Sequence, residues 1–136
     1  KHVLEVISQD VENVILLQPT NPLRPTALLH DAMKIYEKTG ADSLFTVSKN
    51  HHKLGKIENN HFVPYNYEMG QRSQDIEPLY FENGLLYITK SSLIHNNKIV
   101  GDDNYAMLIE HPFAQVDIDT VEDLKFAEYI LKNNKE

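Results

Sequence analysis

Asp117 and Asp119 stand two apart in the stretch Ala114-Gln115-Val116-Asp117-Ile118-Asp119. The stretch alternates like a half-buried strand, so both carboxylates project from one side. Like charges held that close cost free energy unless a cation or hydrogen-bond donors offset them. Hard oxygen ligands suit Mg²⁺, which takes one or two carboxylates and completes its shell with water and phosphate oxygens. In the competing reading Asp117 is merely solvated and Asp119 helps to cap the next helix; the residues alone leave both open. A second polar set is Gln18, Thr20 and Asn21, inside Val14-Ile15-Leu16-Leu17-Gln18-Pro19-Thr20-Asn21-Pro22-Leu23-Arg24-Pro25. The apolar start reads as a strand buried on both faces, as in a parallel sheet. Pro19, Pro22 and Pro25 fix φ and cannot continue a ladder, so the strand must stop near Leu17 or Gln18. The polar residues then sit on a stiff loop beyond a strand's carboxyl end, where open α/β sheets bind ligands. A tight strand-to-helix connection with polar filler is the equally open alternative. A third candidate, His51-His52, is a poor zinc site: adjacent histidines point apart in a strand, and no third ligand lies at a familiar spacing.

The elements that would position these residues follow from periodicity. Residues 1–9 repeat like a helix, with Val3, Leu4 and Ile7 at helical spacing; with no cap and no initiating methionine, the chain is expected to be a larger protein that has lost its front. A strand at about 13–18 leads through the proline loop into a helix over Thr26–Lys38. Leu28, Leu29, Ala32, Met33 and Tyr36 give that helix one apolar face, and Gly40 gives it a left-handed stop. Asp42–Ser48 reads as the next strand, completing a βαβ unit with a right-handed crossover. Residues 49–78 break the pattern. A segment that long with little core of its own is functional or packs on a partner; Gly55–Ile57 and His61–Pro64 are expected to pair as a hairpin through Glu58-Asn59-Asn60. Asn83-Gly84, inside the strand-like run Leu79–Ile88, is either a hairpin turn or a bulge where backbone approaches a ligand. A short helix at Ser91–Asn96, a short strand at Lys98–Val100 and a turn at Gly101–Asn104 come next. Thr120 caps the last helix, with Asp123 closing an acidic capping box; Leu124, Ala127, Ile130 and Leu131 form its apolar face.

Composition narrows the class. The 136 residues suit one domain, and 20 acids against 13 bases leave a net charge of −7 with no basic stripe, which argues against nucleic acid as a partner. There is no cysteine, hence no disulfide frame and no thiol chemistry. No apolar run approaches the ~20 residues of a membrane span, and no signal peptide is visible, so no membrane partner is expected and the cytoplasm is the default compartment.

Three stretches, in order and in register, carry a resemblance. Leu16–Arg24 resembles the LLQPTSPLR signature of the CMP-sialic acid synthetases (acylneuraminate cytidylyltransferases), with Asn21 where serine is usual. Tyr80–Ile88 resembles their ENGxxYI element, and Asp117-Ile118-Asp119-Thr120 followed by Asp123-Leu124 resembles their DIDTxxDL ending. The resemblance covers nearly the whole chain. It implies an α/β, three-layer Rossmann-like nucleotidyltransferase fold, here a partial mixed sheet flanked by helices. It also implies a homodimer in which residues 51–78 form a protruding dimerisation arm. The implied reaction transfers CMP from CTP to the anomeric hydroxyl of a nonulosonic acid, with Mg²⁺ as cofactor and pyrophosphate as product. Carried over motif by motif, Gln18, Thr20 and Asn21 contact the sugar acid, and Asn83, Gly84 and Tyr87 form another wall of its pocket. Ile99 and Val100 lie near the acyl group. Asp117 and Asp119 hold Mg²⁺, and Arg72 in Gln71-Arg72-Ser73-Gln74-Asp75 is a catalytic candidate for carboxylate or phosphate, which arginine binds in bidentate fashion. A lysine of the arm that reaches the partner's pocket corresponds to Lys53 or Lys56. N-acetylneuraminate, legionaminate and pseudaminate all fit as substrate; the KDO synthetases fit less well, because their equivalent of Leu16–Arg24 reads differently. The family's glycine-rich CTP loop (GSKxxxxKN-like) has no match among these residues, so the chain is expected to be a C-terminal portion of a synthetase, inactive alone. A non-catalytic binding or dimerisation module derived from the same family is the alternative.

Overall fold

The computed structural model describes residues 1–7 and 10–134. Its elements are α1 (His2–Val6), β1 (Asn13–Leu16), α2 (Leu28–Thr39), β2 (Ser43–Asn50), β3 (Gly55–Glu58), β4 (His61–Pro64), β5 (Leu79–Lys90), α3 (Ser91–His95), β6 (Asn104–Leu108) and α4 (Val121–Asn133). Single 3₁₀ turns lie at Ser73–Asp75 and Pro112–Gln115. The main sheet has the order β1-β5-β2-β6, and β3 and β4 form a separate hairpin. β5 runs antiparallel to both β1 and β2, while β6 runs parallel to β2. The architecture is therefore α/β with a mixed sheet flanked by helices, compatible with a Rossmann-like arrangement. No helix among the described residues is long and apolar enough to cross a membrane.

α2 forms as its spacing predicts. Leu28, Ala32 and Tyr36 are buried against Leu44, Leu85, Leu86 and Ile88 of the sheet, and Gly40 takes the left-handed cap at φ 69°. Leu29, assigned to the same face, is instead exposed; Met33 and Ile35 complete the contact. The Tyr36 hydroxyl, at the buried end of this face, donates to Asn13 Oδ1 at 2.8 Å and ties the helix to β1. α4 packs Ala127 and Ile130 on Phe113 and Val116, with Leu23 and Ile118 beside them.

Several expectations are corrected. β1 is an edge strand paired antiparallel to β5, not a strand buried on both faces of a parallel sheet; Ile15 and Leu16 are exposed, and the run ends at Leu16. The opening repeat is helical only over His2–Val6, and residues 8 and 9 lie outside the described residues. Lys98–Val100 is not a strand. No ladder among the described residues bonds its backbone: Lys98 N donates to Leu93 O (2.9 Å), Thr89 Oγ1 donates to Ile99 O (2.6 Å), and just beyond it Gly101 N donates to Ser43 Oγ (3.0 Å). The parallel strand lies just beyond it, at β6. Ala114–Asp119 is not a strand either. His111 Nδ1 accepts from Phe113 N and starts a 3₁₀ turn, and the extended residues that follow bond to the proline loop rather than to a sheet. The alternation still governs burial, since Val116 is buried while Asp117 and Asp119 are exposed.

The hairpin forms where expected. Asn59 and Asn60 both take positive φ (50° and 64°), the geometry of a two-residue type I′ turn. The arm closes on itself: Asn66 Oδ1 accepts from Leu54 N (2.8 Å), Lys53 Nζ donates to Gln71 O, and the same ammonium lies 5.0 Å from the Tyr67 ring. Every residue of β3 is exposed.

The capping box of α4 is complete: Thr120 Oγ1 accepts from Asp123 N, and Asp123 Oδ2 accepts from Thr120 N at 2.8 Å. Bonds from Thr120 Oγ1 and from the Thr120 and Asp119 backbone hold the Asp123 carboxyl below its ordinary pKa. A depressed carboxylate stabilises the fold above its unfolded pKa, and that contribution is lost as pH falls through the folded value. Thr120→Ala is expected to cost about 1 kcal/mol in urea denaturation at neutral pH, and the gap from the parent should narrow as pH falls through the carboxylate range.

Candidate functional site

Three segments meet beyond the end of β1, and side chains rather than a sheet ladder hold them together. Prolines deny the loop at 18–25 both a helix and a strand, so its backbone groups need other partners. Arg24 supplies two bonds. Its Nη2 donates to Gln18 O at 2.7 Å, and its Nε donates to Leu85 O at 2.8 Å, bridging the loop to β5. Burial draws the Arg24 guanidinium below its ordinary pKa without threatening its charge at neutral pH. Asn21, only 2% exposed, donates from Nδ2 to Val116 O at 2.9 Å. Ile118 N donates to Thr20 O at 2.8 Å. The proline loop is thus joined on one side to the bulge of β5 and on the other to the segment that carries Asp117 and Asp119.

Asn83-Gly84 resolves as a bulge within a continuous strand. Phe45 pairs with Tyr87 but Val47 pairs with Glu82, so Thr46 alone faces the extra residues of β5. Those residues are pinned by polar bonds. Asn83 Oδ1 accepts from Thr46 Oγ1 (2.6 Å) and Leu85 N (3.2 Å), and Asn83 Nδ2 donates to Ser48 Oγ (2.9 Å). Gly84 takes φ 74°, and a Cβ there would collide with Gln18 Oε1 and Asn21 Oδ1. The bulge is therefore the place where backbone comes closest to the carboxamides of the loop.

The predicted site residues divide accordingly. Gln18, Thr20, Asn21, Gly84 and the 116–119 segment come together. Asn83 is buried beneath them with both ends of its amide occupied. Tyr87 pairs with Leu16 across the sheet, stacks on Phe45 at 6.3 Å and donates its hydroxyl to Glu82 Oε2 at 3.1 Å. Burial, reinforced by Glu82, pushes its phenol up to about 12, so it is a neutral donor across the working pH range. Asp117 and Asp119 are both exposed, Asp119 at a bend before α4, and among the described residues neither carboxylate has a hydrogen-bond or ion-pair partner. No third acid or histidine gathers with them among the described residues. Two exposed carboxylates are hard oxygen donors of the kind Mg²⁺ takes when water or phosphate completes its shell.

Arg72, Ile99 and Val100 stand apart from this cluster. Arg72 is exposed on the arm and pairs with Asp75 at 2.8 Å. Ile99 lines a cavity of about 420 Å³ with Val3, Val14 and Leu16, beside the face of β1 rather than beyond its end. Arg24 received no role from the sequence. The signal was present, because a lone arginine in a loop of prolines faces carbonyls that no regular element can satisfy.

Asn21 Oδ1 is buried without a donor among the described residues, next to Gly84. Gly84→Ala is expected to cost about 2–4 kcal/mol, from left-handed strain plus the collision with both carboxamides. Gly40→Ala, at a similar φ but with nothing within 4 Å, should cost only about 1 kcal/mol. Paired denaturation curves of the two variants separate backbone strain from closure of the loop on the bulge.

No family model matches the chain. Among curated proteins, it is 28% identical over 121 residues to the N-acylneuraminate cytidylyltransferase of Streptococcus agalactiae serotype III (strain NEM316), an alignment that covers 85% of this chain and 29% of that protein. It is also 28% identical over 134 residues to the CMP-N,N'-diacetyllegionaminic acid synthase of Legionella pneumophila strain Philadelphia 1, covering 92% of this chain and 56% of that protein. The chain thus spans under a third to just over half the length of these curated relatives. Over most of its own length, it is similar in sequence to the acylneuraminate cytidylyltransferases and to a CMP-legionaminic acid synthase.

Proposed function

We propose that this chain forms the sugar-acid and metal-binding part of a cytidylyltransferase that moves CMP from CTP to a nonulosonic acid, N-acetylneuraminate or a close relative such as legionaminate or pseudaminate. The observation that carries the reading is the joining of three motif-bearing segments at one place: the proline loop, the β5 bulge and the Asp117–Asp119 segment, through Arg24, Asn21 and Ile118 N. The bonds between these three motif-bearing segments support reading them as parts of one site.

In the proposed reaction the anomeric hydroxyl of the sugar acid attacks the α-phosphorus of CTP and pyrophosphate leaves. Such a step gains most from positioning and from neutralising charge. Gln18 and Thr20 orient the sugar acid. Arg24 fixes the loop that carries them through its bonds to Gln18 O and Leu85 O. Asp117 and Asp119 hold Mg²⁺, which when bound supplies charge neutralisation at the phosphates. The sequence carries no glycine-rich phosphate loop, so most contacts to the triphosphate are left to residues beyond this set.

The arm favours a homodimer. Ile57 on the hairpin and Tyr65 and Met69 just beyond it are 79%, 69% and 71% exposed, and isolated two-stranded hairpins are marginal in water. A second copy covering these side chains would account for the exposure. The same feature supports the second reading, a non-catalytic dimerisation module.

With CTP, Mg²⁺ and a panel of N-acetylneuraminate, N,N'-diacetyllegionaminate and pseudaminate, the purified chain is expected to release pyrophosphate at background rate. Saturation-transfer NMR should still detect one of the sugars. Asp117→Asn with Asp119→Asn should abolish Mg²⁺-dependent shifts and leave the oligomeric state unchanged. Absence of binding to every sugar, with a dimer that Ile57→Asp and Met69→Asp dissociate, would favour the module over the enzyme. A dimer that survives those two substitutions would speak against the arm.

A further inference from the structure

We infer that Asn21 sets the orientation of the Gln18 carboxamide, so that Gln18 Nε2 donates to Asn21 Oδ1 and Gln18 Oε1 faces the ligand as a hydrogen-bond acceptor. The Asn21 amide has no choice of orientation. Asn21 Nδ2 lies 2.9 Å from Val116 O, and a carbonyl can only accept, so the nitrogen must stay on that side. Oδ1 is then forced towards Gly84, where it is buried and has no donor among the described residues. Gln18 Oε1 converges on the same place: both side-chain oxygens lie no more than 2.6 Å from the point that a Gly84 Cβ would occupy. Two acceptors facing one Cα leave one of them orphaned, whereas buried polar groups are nearly always bonded.

The members of this pair differ in freedom. Turning Asn21 would set oxygen against Val116 O and break the bond between the loop and the 116–119 segment. Turning Gln18 by half a revolution about its last torsion exchanges oxygen and nitrogen, which are nearly isosteric, and leaves the rest of the residue where it is. Its backbone is held independently, since Gln18 O accepts from Arg24 Nη2 at 2.7 Å and from Asn21 N at 3.2 Å. Nε2 then meets Oδ1 over the face of Gly84 that lacks a side chain. Asn21 is a positioning residue, and Gln18 is left with a single outward group, a carbonyl oxygen.

The consequence for recognition rests on the proposed sugar-acid reading of the loop, although the amide orientation does not. An outward Oε1 takes a donor, so Gln18 selects a hydroxyl or an amide N–H of the ligand and disfavours a carboxylate or phosphate oxygen at that position. The charged end of a sugar acid must therefore be bound elsewhere in the site.

The test is ¹⁵N-edited NOESY and side-chain amide exchange on the whole chain without ligand. The Gln18 Nε2 protons should show NOEs to Gly84 Hα and exchange at least tenfold more slowly than those of exposed Gln74. Exchange as fast as Gln74 with no such NOE overturns the proposal. In Asn21→Ala the protection of Gln18 should fall at least tenfold; protection that persists there also overturns it. If that variant does not fold, the parent measurement decides alone. Titrating N-acetylneuraminate separates the two layers. Sugar-induced shifts at Gln18 and Thr20 with an unprotected Gln18 carboxamide overturn the orientation and spare the functional reading. A protected carboxamide with no shift from any nonulosonic acid supports the orientation and counts against that reading.

Discussion

The structure around the site depends on one constraint: a loop with prolines at 19, 22 and 25 has carbonyls and amides that no helix or ladder can satisfy. Arg24 Nη2, Asn21 N and Ile118 N meet part of that demand at Gln18 O and Thr20 O, while the Arg24 and Asn21 side chains reach across 61 and 95 residues of chain to Leu85 O and Val116 O. Each bond stabilises the loop modestly, roughly 0.5–3 kcal/mol net depending on charge. Their geometric effect is larger. They pull a strand end, a bulge and an extended segment into one locus although no regular element connects the three.

β5 carries the other half of that arrangement. From Asn83 to Thr89 it is buried throughout, and it pairs with β1 on one edge and β2 on the other. A bulge with a left-handed glycine costs free energy where it stands. It persists because Thr46, Ser48 and Leu85 N occupy the Asn83 amide, and because the surrounding strand is packed too well to slip. Site geometry and core stability therefore share one strand, and substitutions that loosen the bulge reach both.

Local chemistry was the legible part of this sequence. α2 with its Gly40 stop, the Asn59-Asn60 turn and the Thr120–Asp123 box each depend on residues within a few positions of one another; the turn and the box form as read, and α2 does so except that it starts at Leu28 and leaves Leu29 exposed. Asn83-Gly84 was legible only as a pair of options, since a turn and a bulge demand the same backbone freedom and only the pairing of Phe45 and Val47 separates them. The failures were matters of neighbourhood. Val14–Leu17 looked like an interior strand because apolar composition does not report which side is paired. Ala114–Asp119 alternated as a strand does, yet its backbone partner is the proline loop rather than a sheet. Arg24 among prolines signalled carbonyls to be satisfied but not which ones, because its partners Gln18 O and Leu85 O are main-chain groups, which have no letter in a sequence. The convergence of Gln18, Asn21, Gly84 and Val116 was invisible for the same reason.

Asn83-Gly84 also bears on how the protein ages. An asparagine followed by glycine is prone to deamidation, because the glycine nitrogen meets little steric hindrance when it attacks the side-chain carbonyl and expels ammonia. Here that carbonyl oxygen accepts from Thr46 Oγ1 and Leu85 N, and the amide nitrogen is tied to Ser48. Cyclisation would have to break these bonds. The same dipeptide is unprotected whenever the chain is unfolded, and the aspartate or isoaspartate formed there would bring a negative charge into a pocket built for a neutral amide. Each unfolding excursion thus carries a small risk of no return, and the tight bulge acts as a chemical preservative for as long as the fold holds.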